Sequence, residues 1–302
     1  MNKIRLTVLS CVFVLGSLTT VAQQFPDPQF LPTVDHPAYA RGGPRVLFDE
    51  AHNNLQTTTG RFKPFVDLLL NDGYRVIRNR QTLSSKILED FKILIISNAL
   101  GAEEVDDEGA AKSAFTDEEC QAVLEFVRGG GSLLLIANNG AYGGAAETLA
   151  KGFGVEFGKK LTADEANCAK DNPETIIFSR ENKLLGDHPI IEGRAPEEKV
   201  NVVMSFGGQS LKGPNDSTII LKLSDTAKDL SEDKSPASSA AGRAQAIALR
   251  VGKGRVVVQG EASMLSAQIE RSEKFKVGMN VPGNDNKQYT LNLMHWLSGL
   301  LR

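Results

Sequence analysis

Asp49-Glu50-Ala51-His52-Asn53 places two carboxylates, an imidazole and an amide side by side. Carboxylate and imidazole groups at such spacing can exchange protons with a substrate as general acid and base. With Glu261 added, the same set offers oxygen and nitrogen donors of the kind that ligate metals. Asn98, Asn138 and Asn139 add paired donors and acceptors suited to a neutral, hydroxyl- or amide-rich ligand. A single histidine lies in this group, and the chain has no H-x-H or H-x-x-x-H spacing. The reading is therefore no metal and no cofactor. Asp49-Glu50-Ala51-His52 also spells a helicase signature, but no G-x-x-x-x-G-K-[ST] phosphate loop accompanies it.

These residues need elements that deliver them to one place. Val46-Leu47-Phe48 precedes the Asp49 cluster, Ile93-Leu94-Ile95-Ile96 precedes Ser97-Asn98, and Leu133-Leu134-Leu135-Ile136 precedes Ala137-Asn138-Asn139-Gly140. Continuous rather than alternating apolar character predicts strands buried on both faces, as in a parallel sheet. Helices are expected between them. Residues 62–71 carry Phe65, Val66, Leu68, Leu69 and Leu70 and stop at Asp72-Gly73; a strand then runs from Tyr74 to Ile77. Thr116-Asp117-Glu118-Glu119 is a capping box opening a helix that ends at Gly129-Gly130-Gly131. Gly140, Gly143 and Gly144 are expected before a helix over 145–151, where free backbone N–H groups could hold an anion. Residues 244–251 and 255–259 form a hairpin turned at Gly252-Lys253-Gly254, and a closing helix covers 289–301. Alternating strands and helices predict a doubly wound, mostly parallel α/β sheet of flavodoxin-like type with right-handed crossovers. In such a sheet ligands bind beyond the carboxyl ends of the strands. Asp49, Glu50, His52, Asn53, Asn98, Asn138, Asn139 and Glu261 all follow strands, so they are the candidate ligand-binding set. Loop ends are polar for local reasons as well, and that alternative stays open.

Three further segments complete the organisation. Residues 1–22 carry Lys3 and Arg5, then an apolar stretch to Leu18 and small residues at Val21-Ala22, the pattern of a signal peptide cut near Ala22. Residues 23–43, with Pro26, Pro28, Pro32 and Pro37, are read as an extended leader, and 44–302 as one domain. Within it, 155–243 has short strands at 175–178, 200–206 and 218–223 and a loop-like 225–242, a β-rich elaboration. The chain is thus expected to be exported, periplasmic or extracellular, with no membrane span after cleavage. Cys120 and Cys168 remain after cleavage and are read as unpaired thiols, though an oxidising compartment would permit a bridge. A net charge of −3 over 302 residues argues against a nucleic-acid partner.

Val46-Leu47-Phe48-Asp49-Glu50-Ala51-His52-Asn53, followed by a helix and Gly73-Tyr74-Arg75-Val76, resembles the opening of a class I glutamine amidotransferase-like domain. Gly130-Gly131-Ser132-Leu133-Leu134-Leu135-Ile136 is similar to the strand leading to that superfamily's nucleophile elbow. Asp187-His188-Pro189-Ile190-Ile191-Glu192-Gly193 and Gly260-Glu261-Ala262-Ser263 add to the likeness. The chain also resembles secreted bacterial proteins and related domains of gliding-motility transport and intraflagellar transport proteins. The superfamily's active members place a cysteine at the elbow and a histidine with a carboxylate near the last strands. Here the elbow stretch reads Ala137-Asn138-Asn139-Gly140, and Glu261 has no histidine beside it. A thiolate nucleophile needs a base within reach, so the resemblance implies the fold without the amidase triad. Two readings remain: a non-catalytic binding or scaffold domain for a small molecule, sugar, peptide or envelope protein, or a hydrolase using His52 with Glu50 or Glu261, with or without a metal to assist it.

Overall fold

A computed structural model describes residues 24–40, 42–169, 172–231, 237–270 and 275–302. The signal-peptide reading of 1–22 lies outside the described residues. Chain order begins with β1 (Gln24–Pro26), β2 (Arg45–Asp49), α1 (Lys63–Asn71), β3 (Arg75–Asn79), α2 (Ser85–Leu88), β4 (Ile93–Ser97), α3 (Asp117–Gly129), β5 (Ser132–Ile136) and α4 (Ala141–Gly152). It continues with β6 (Glu156–Ala163), β7 (Cys168–Ala169), β8 (Asn172–Ser179), α5 (Pro189–Glu192), β9 (Val202–Met204), β10 (Gln209–Lys212), β11 (Thr218–Lys222), β12 (Lys228–Asp229) and β13 (Ser238–Ser239). Last come β14 (Ala244–Val251), β15 (Gly254–Gln259), β16 (Ala267–Glu270), β17 (Lys276–Gly278) and α6 (Asn286–Ser298).

The apolar runs are the centre of the sheet. β3, β2, β4, β5 and β15 lie side by side in that order, all parallel. Their residues alternate between two cores. Val46, Phe48, Ile93, Ile95, Leu134, Ile136 and Val257 face α1 and α6, where Phe65, Leu69, Leu293 and Trp296 wait. Leu47, Leu94, Ile96, Leu133, Leu135, Val256 and Val258 face α3 and α4 through Val123, Val127, Ala146 and Leu149. Period-two alternation with both faces apolar is why the sequence shows an unbroken run.

The elaboration mostly lengthens this same sheet. β14, β10, β6, β12 and β13 continue it antiparallel beyond β15, with β11 paired to β14. Within the elaboration β7, β8 and β9 form a separate small sheet, and β1, β16 and β17 form another outside it.

Two local expectations change. Gly143 and Gly144 sit inside α4, which starts at Ala141, four residues earlier than expected. A Cβ on Gly143 would lie 2.8 Å from the Gln209 amide oxygen, and one on Gly144 would lie 2.7 Å from the Ala111 carbonyl oxygen. Close packing, rather than anion binding, accounts for both glycines. The leader is extended, yet it is packed down. β1 pairs with β16, Phe30 and Val34 rest on Leu68 and Leu291, and the Ala38 N–H donates to Asp72 Oδ1 at 2.7 Å.

Candidate functional site

Asp49 ends β2 with no exposed surface, and His52 is 8% exposed. The imidazole bridges two carboxylates: Nδ1 lies 2.8 Å from Asp49 Oδ2 and Nε2 lies 2.9 Å from Glu119 Oε1. Glu119 is the third residue of α3. Its carboxylate closes the capping box by accepting from the Thr116 N–H at 3.0 Å, and it also accepts from the Leu83 N–H at 2.9 Å. Phe115 covers the imidazole, ring centroids 4.5 Å apart. Burial by itself would lower the His52 pKa, but hydrogen bonds and charge from Asp49 and Glu119 outweigh it and raise it above the usual value. Only the imidazolium can donate from both nitrogens at once, so this geometry favours the protonated ring. Glu119 is held low; burial opposes this, but the Thr116 and Leu83 N–H groups and His52 prevail.

The second grouping joins three strand ends. Asn98 follows β4 in the left-handed region at φ 45°. Its Oδ1 accepts from the Asn138 N–H at 2.8 Å, and its Nδ2 donates to Asn138 Oδ1 at 3.2 Å. Asn138 Oδ1 also accepts from the Ala262 N–H at 3.0 Å, beside Glu261. The Gln209 amide nitrogen donates to the Ala137 and Asn138 carbonyls, both at 2.8 Å, and its oxygen accepts from the Lys159 N–H at 2.7 Å. The ends of β4, β5 and β15 are thus tied together, with the start of β10 tied in by Gln209.

Glu261 is fully buried. Its oxygens accept from the Ser263 N–H at 2.5 Å and the Met264 N–H at 2.8 Å. Burial raises its pKa, and the backbone donors only partly offset this. Glu50 turns the other way: Oε1 accepts from the Thr58 N–H and hydroxyl at 2.7 and 2.6 Å, and Oε2 lies 3.5 Å from Arg80 Nε. Asn53 is exposed with φ 49°, and Asn139 is half-buried.

The candidate residues therefore fall into separate sets. Asp49 and His52 meet each other; Asn98, Asn138 and the Glu261 turn meet each other; Glu50 joins neither. Asp49, Glu50, His52 and Glu261 do not gather as a ligand shell, and among the described residues no cluster of three His, Cys, Asp or Glu side chains could hold a metal. The metal-assisted form of the hydrolase reading loses its basis, because each carboxylate is directed to a different donor. Sequence reasoning missed Glu119 as a partner of His52, seeing only its capping role. It missed Gln209 and Thr58 entirely, for which the sequence carries no signal.

Space for a ligand does exist at this edge. A cavity of about 380 Å³ opens between the loops after β2 and β4 and the first turn of α4, lined by Glu50, Asn53, Leu55, Leu100, Glu104 and Tyr142. A larger cavity of about 750 Å³, lined by Ala163, Glu165, Thr226, Lys228 and Leu230, lies near β6 and β12, away from the parallel strand ends. At the turn from β5 to α4, Gly140 takes φ 68° and ψ −133°, and a Cβ there would meet open space. No thiol stands at that turn. Cys120 is on α3 and Cys168 on β7, both unpaired, and burial with nearby Asp117 and Glu119 pushes the Cys120 thiol up to about 11.

The chain matches no protein-family model and no curated protein sequence. It is similar in structure to the N-terminal domain of mmIFT52, with a TM-score of 0.59 at 14% identity over 84% of this chain and 97% of that one. It is similar also to a putative ThuA-like protein from Bacteroides uniformis, with a TM-score of 0.43 at 10% identity over 87% and 93% of the two chains. A putative GMP synthase subunit from Thermoplasma acidophilum gives 0.42 at 12% identity over 86% and 96%. The class is a doubly wound α/β domain whose fold is like that of the mmIFT52 N-terminal domain, with a mixed sheet whose parallel half carries the candidate site.

Proposed function

We propose that this chain is an exported binding or scaffold domain that catalyses no reaction, with a sugar, peptide or other small molecule, or an envelope protein, held at the carboxyl ends of its parallel strands. The observation that carries this reading is the state of His52. Both ring nitrogens are taken by buried carboxylates, so no lone pair is left to draw a proton from a substrate. Glu261 supports it, since its oxygens cap the turn that follows. The polar groups that could do chemistry are engaged in holding three loops in place beside the cavity. A preformed, partly apolar cavity with a few polar groups suits ligand capture.

The test is a titration of isotopically labelled protein with short oligosaccharides and tripeptides, read by amide chemical shifts. Shifts confined to residues 50–55, 100–105 and Tyr142 are expected. Release of ammonia from glutamine, or hydrolysis of aryl esters or glycosides, abolished by His52→Ala in protein that still folds, would sink the reading.

A further inference from the structure

The opposite edge of the sheet holds an arrangement that the proposed rim site does not use. Arg250 and Arg255 stand directly across from each other where β14 and β15 meet at their turn. Like charges placed opposite on neighbouring strands repel and cost stability. Both guanidinium groups also lie against one ring: Arg255 Cζ is 5.1 Å and Arg250 Cζ 5.9 Å from the centre of Trp296. His188 approaches the same indole edge-on at 4.9 Å. Lys92, the residue before β4, belongs to the other face of the sheet with Leu94, and its ammonium donates to the Gly130 carbonyl at the end of α3 at 2.6 Å. Arg128 and Lys253 are exposed nearby, their backbones joined by a hydrogen bond of 3.0 Å.

Opposing carboxylates are scarce here. Among the described residues, Arg250 and Arg255 form no ion pair with a carboxylate side chain, and Asp90, just before β4, is bound to Arg45 at 3.0 Å. Arg255 is instead anchored by the Trp296 and Leu301 carbonyls. Burial, then Arg250 and Arg255, push His188 down to about 4, and burial followed by Arg255 lowers Lys92. The charges acting on His188 are both cationic, so at neutral pH the imidazole is uncharged and the arginines stay uncompensated.

We propose that Arg250 and Arg255 form an anion site beside Trp296 that takes a phosphate-type oxyanion, either free or as the headgroup of a lipid. Planar guanidinium forks match tetrahedral oxyanions through paired hydrogen bonds. A doubly charged group would cancel the repulsion across β14 and β15 that the protein alone leaves in place. One guanidinium is fixed by backbone carbonyls while the other is exposed, so the pair is partly preorganised and still open to solvent. The site lies about 13 Å from the far edge, the length of β15 from Arg255 to Gln259, so it is separate from the proposed ligand cavity.

Trp296 is the one tryptophan of the chain, which makes its fluorescence a local reporter. Inorganic phosphate is titrated at constant ionic strength against sodium chloride. A saturable change in Trp296 emission with phosphate and not chloride is expected, weakened at least tenfold in Arg250→Gln and in Arg255→Gln and unchanged in Arg75→Gln. In a second arm, vesicles of phosphatidylcholine with and without phosphatidylglycerol are sedimented with the protein. Binding only to anionic vesicles, lost in Arg250→Gln, assigns the lipid source; a phosphate response without vesicle binding assigns the free ion. No response in either arm, or one that Arg250→Gln leaves intact, overturns the proposal. Circular dichroism of each variant confirms that it folds.

Discussion

His52 on the loop after β2 and Glu119 in the first turn of α3 are joined by a hydrogen bond of 2.9 Å across sixty-seven positions of chain. One residue closes a helix and also fixes the imidazole of a distant loop. With Asp49 on the other nitrogen, the three side chains lock the end of β2 to the start of α3.

Stability should follow the titration of that lock. The folded-state pKa of His52 is raised, so its contribution is complete below about 6.5, the unfolded value. It is lost as pH rises through the folded-state pKa. Glu119 is lowered, so its contribution is present above its unfolded value and is lost as pH falls through the folded one. Denaturant midpoints measured from pH 3 to 9 should peak between these limits. His52→Ala should remove the alkaline limb and cost about 3 kcal/mol near pH 6, since it strands two buried carboxylates. An unchanged alkaline limb in that variant would contradict the assignment.

Asn98 carries a backbone conformation and two hydrogen bonds at once. Asn98→Ala should destabilise by about 3 kcal/mol, summing the left-handed backbone cost and the lost bonds. Asn98→Gly relieves the backbone and should recover roughly 1 kcal/mol of that. Urea denaturation of the two variants side by side measures the difference.

The turn into α4 separates strain from packing. Gly140→Ala meets no neighbour and should cost about 1–2 kcal/mol through backbone strain alone. Gly143→Ala should cost more, because its Cβ displaces the Gln209 amide that binds the Ala137 and Asn138 carbonyls. Equal losses in thermal unfolding would argue against Gln209 as the tie between these loops.

Cys120 should be a slow thiol. Its pKa is pushed up to about 11, so the thiolate is a small fraction at pH 8. Labelling of Cys120 with a disulfide reagent, followed in Cys168→Ser protein, should run at least tenfold slower than in the unfolded chain. A rate matching the unfolded chain would refute this.

The parallel core could be read in advance because β2, β4, β5 and β15 each carry an unbroken apolar run of three or four residues, as both faces are buried. Phe48 and Leu47 face opposite cores, and the sequence shows both as hydrophobic. The capping box at Thr116 was equally legible, since its chemistry lies within four residues. β6 and β10 were not. They belong to the antiparallel half, where residues such as Lys159 and Gln209 interrupt the apolar pattern. The polar strand ends could be named as a set but not paired, because the partner of His52 lies on a helix far along the chain. Whether a buried carboxylate faces a ligand or its own turn, as Glu261 does, depends on backbone N–H groups that no residue type announces.

The segment 24–40 has a mechanical consequence. A pull applied at residue 24 would be resisted first by the three residues of β1 against β16. It would next meet the Asp72 carboxylate that holds the Ala38 N–H, and the Arg194 guanidinium that holds the His36 carbonyl. Asp72 is in turn fixed to His295 of α6 at 2.7 Å. Load entering there would spread into α1 and α6 on one face of the sheet before reaching β4, β5 or the cavity at their ends, so the carboxyl ends of the parallel strands would be sheltered from tension on the amino-terminal side.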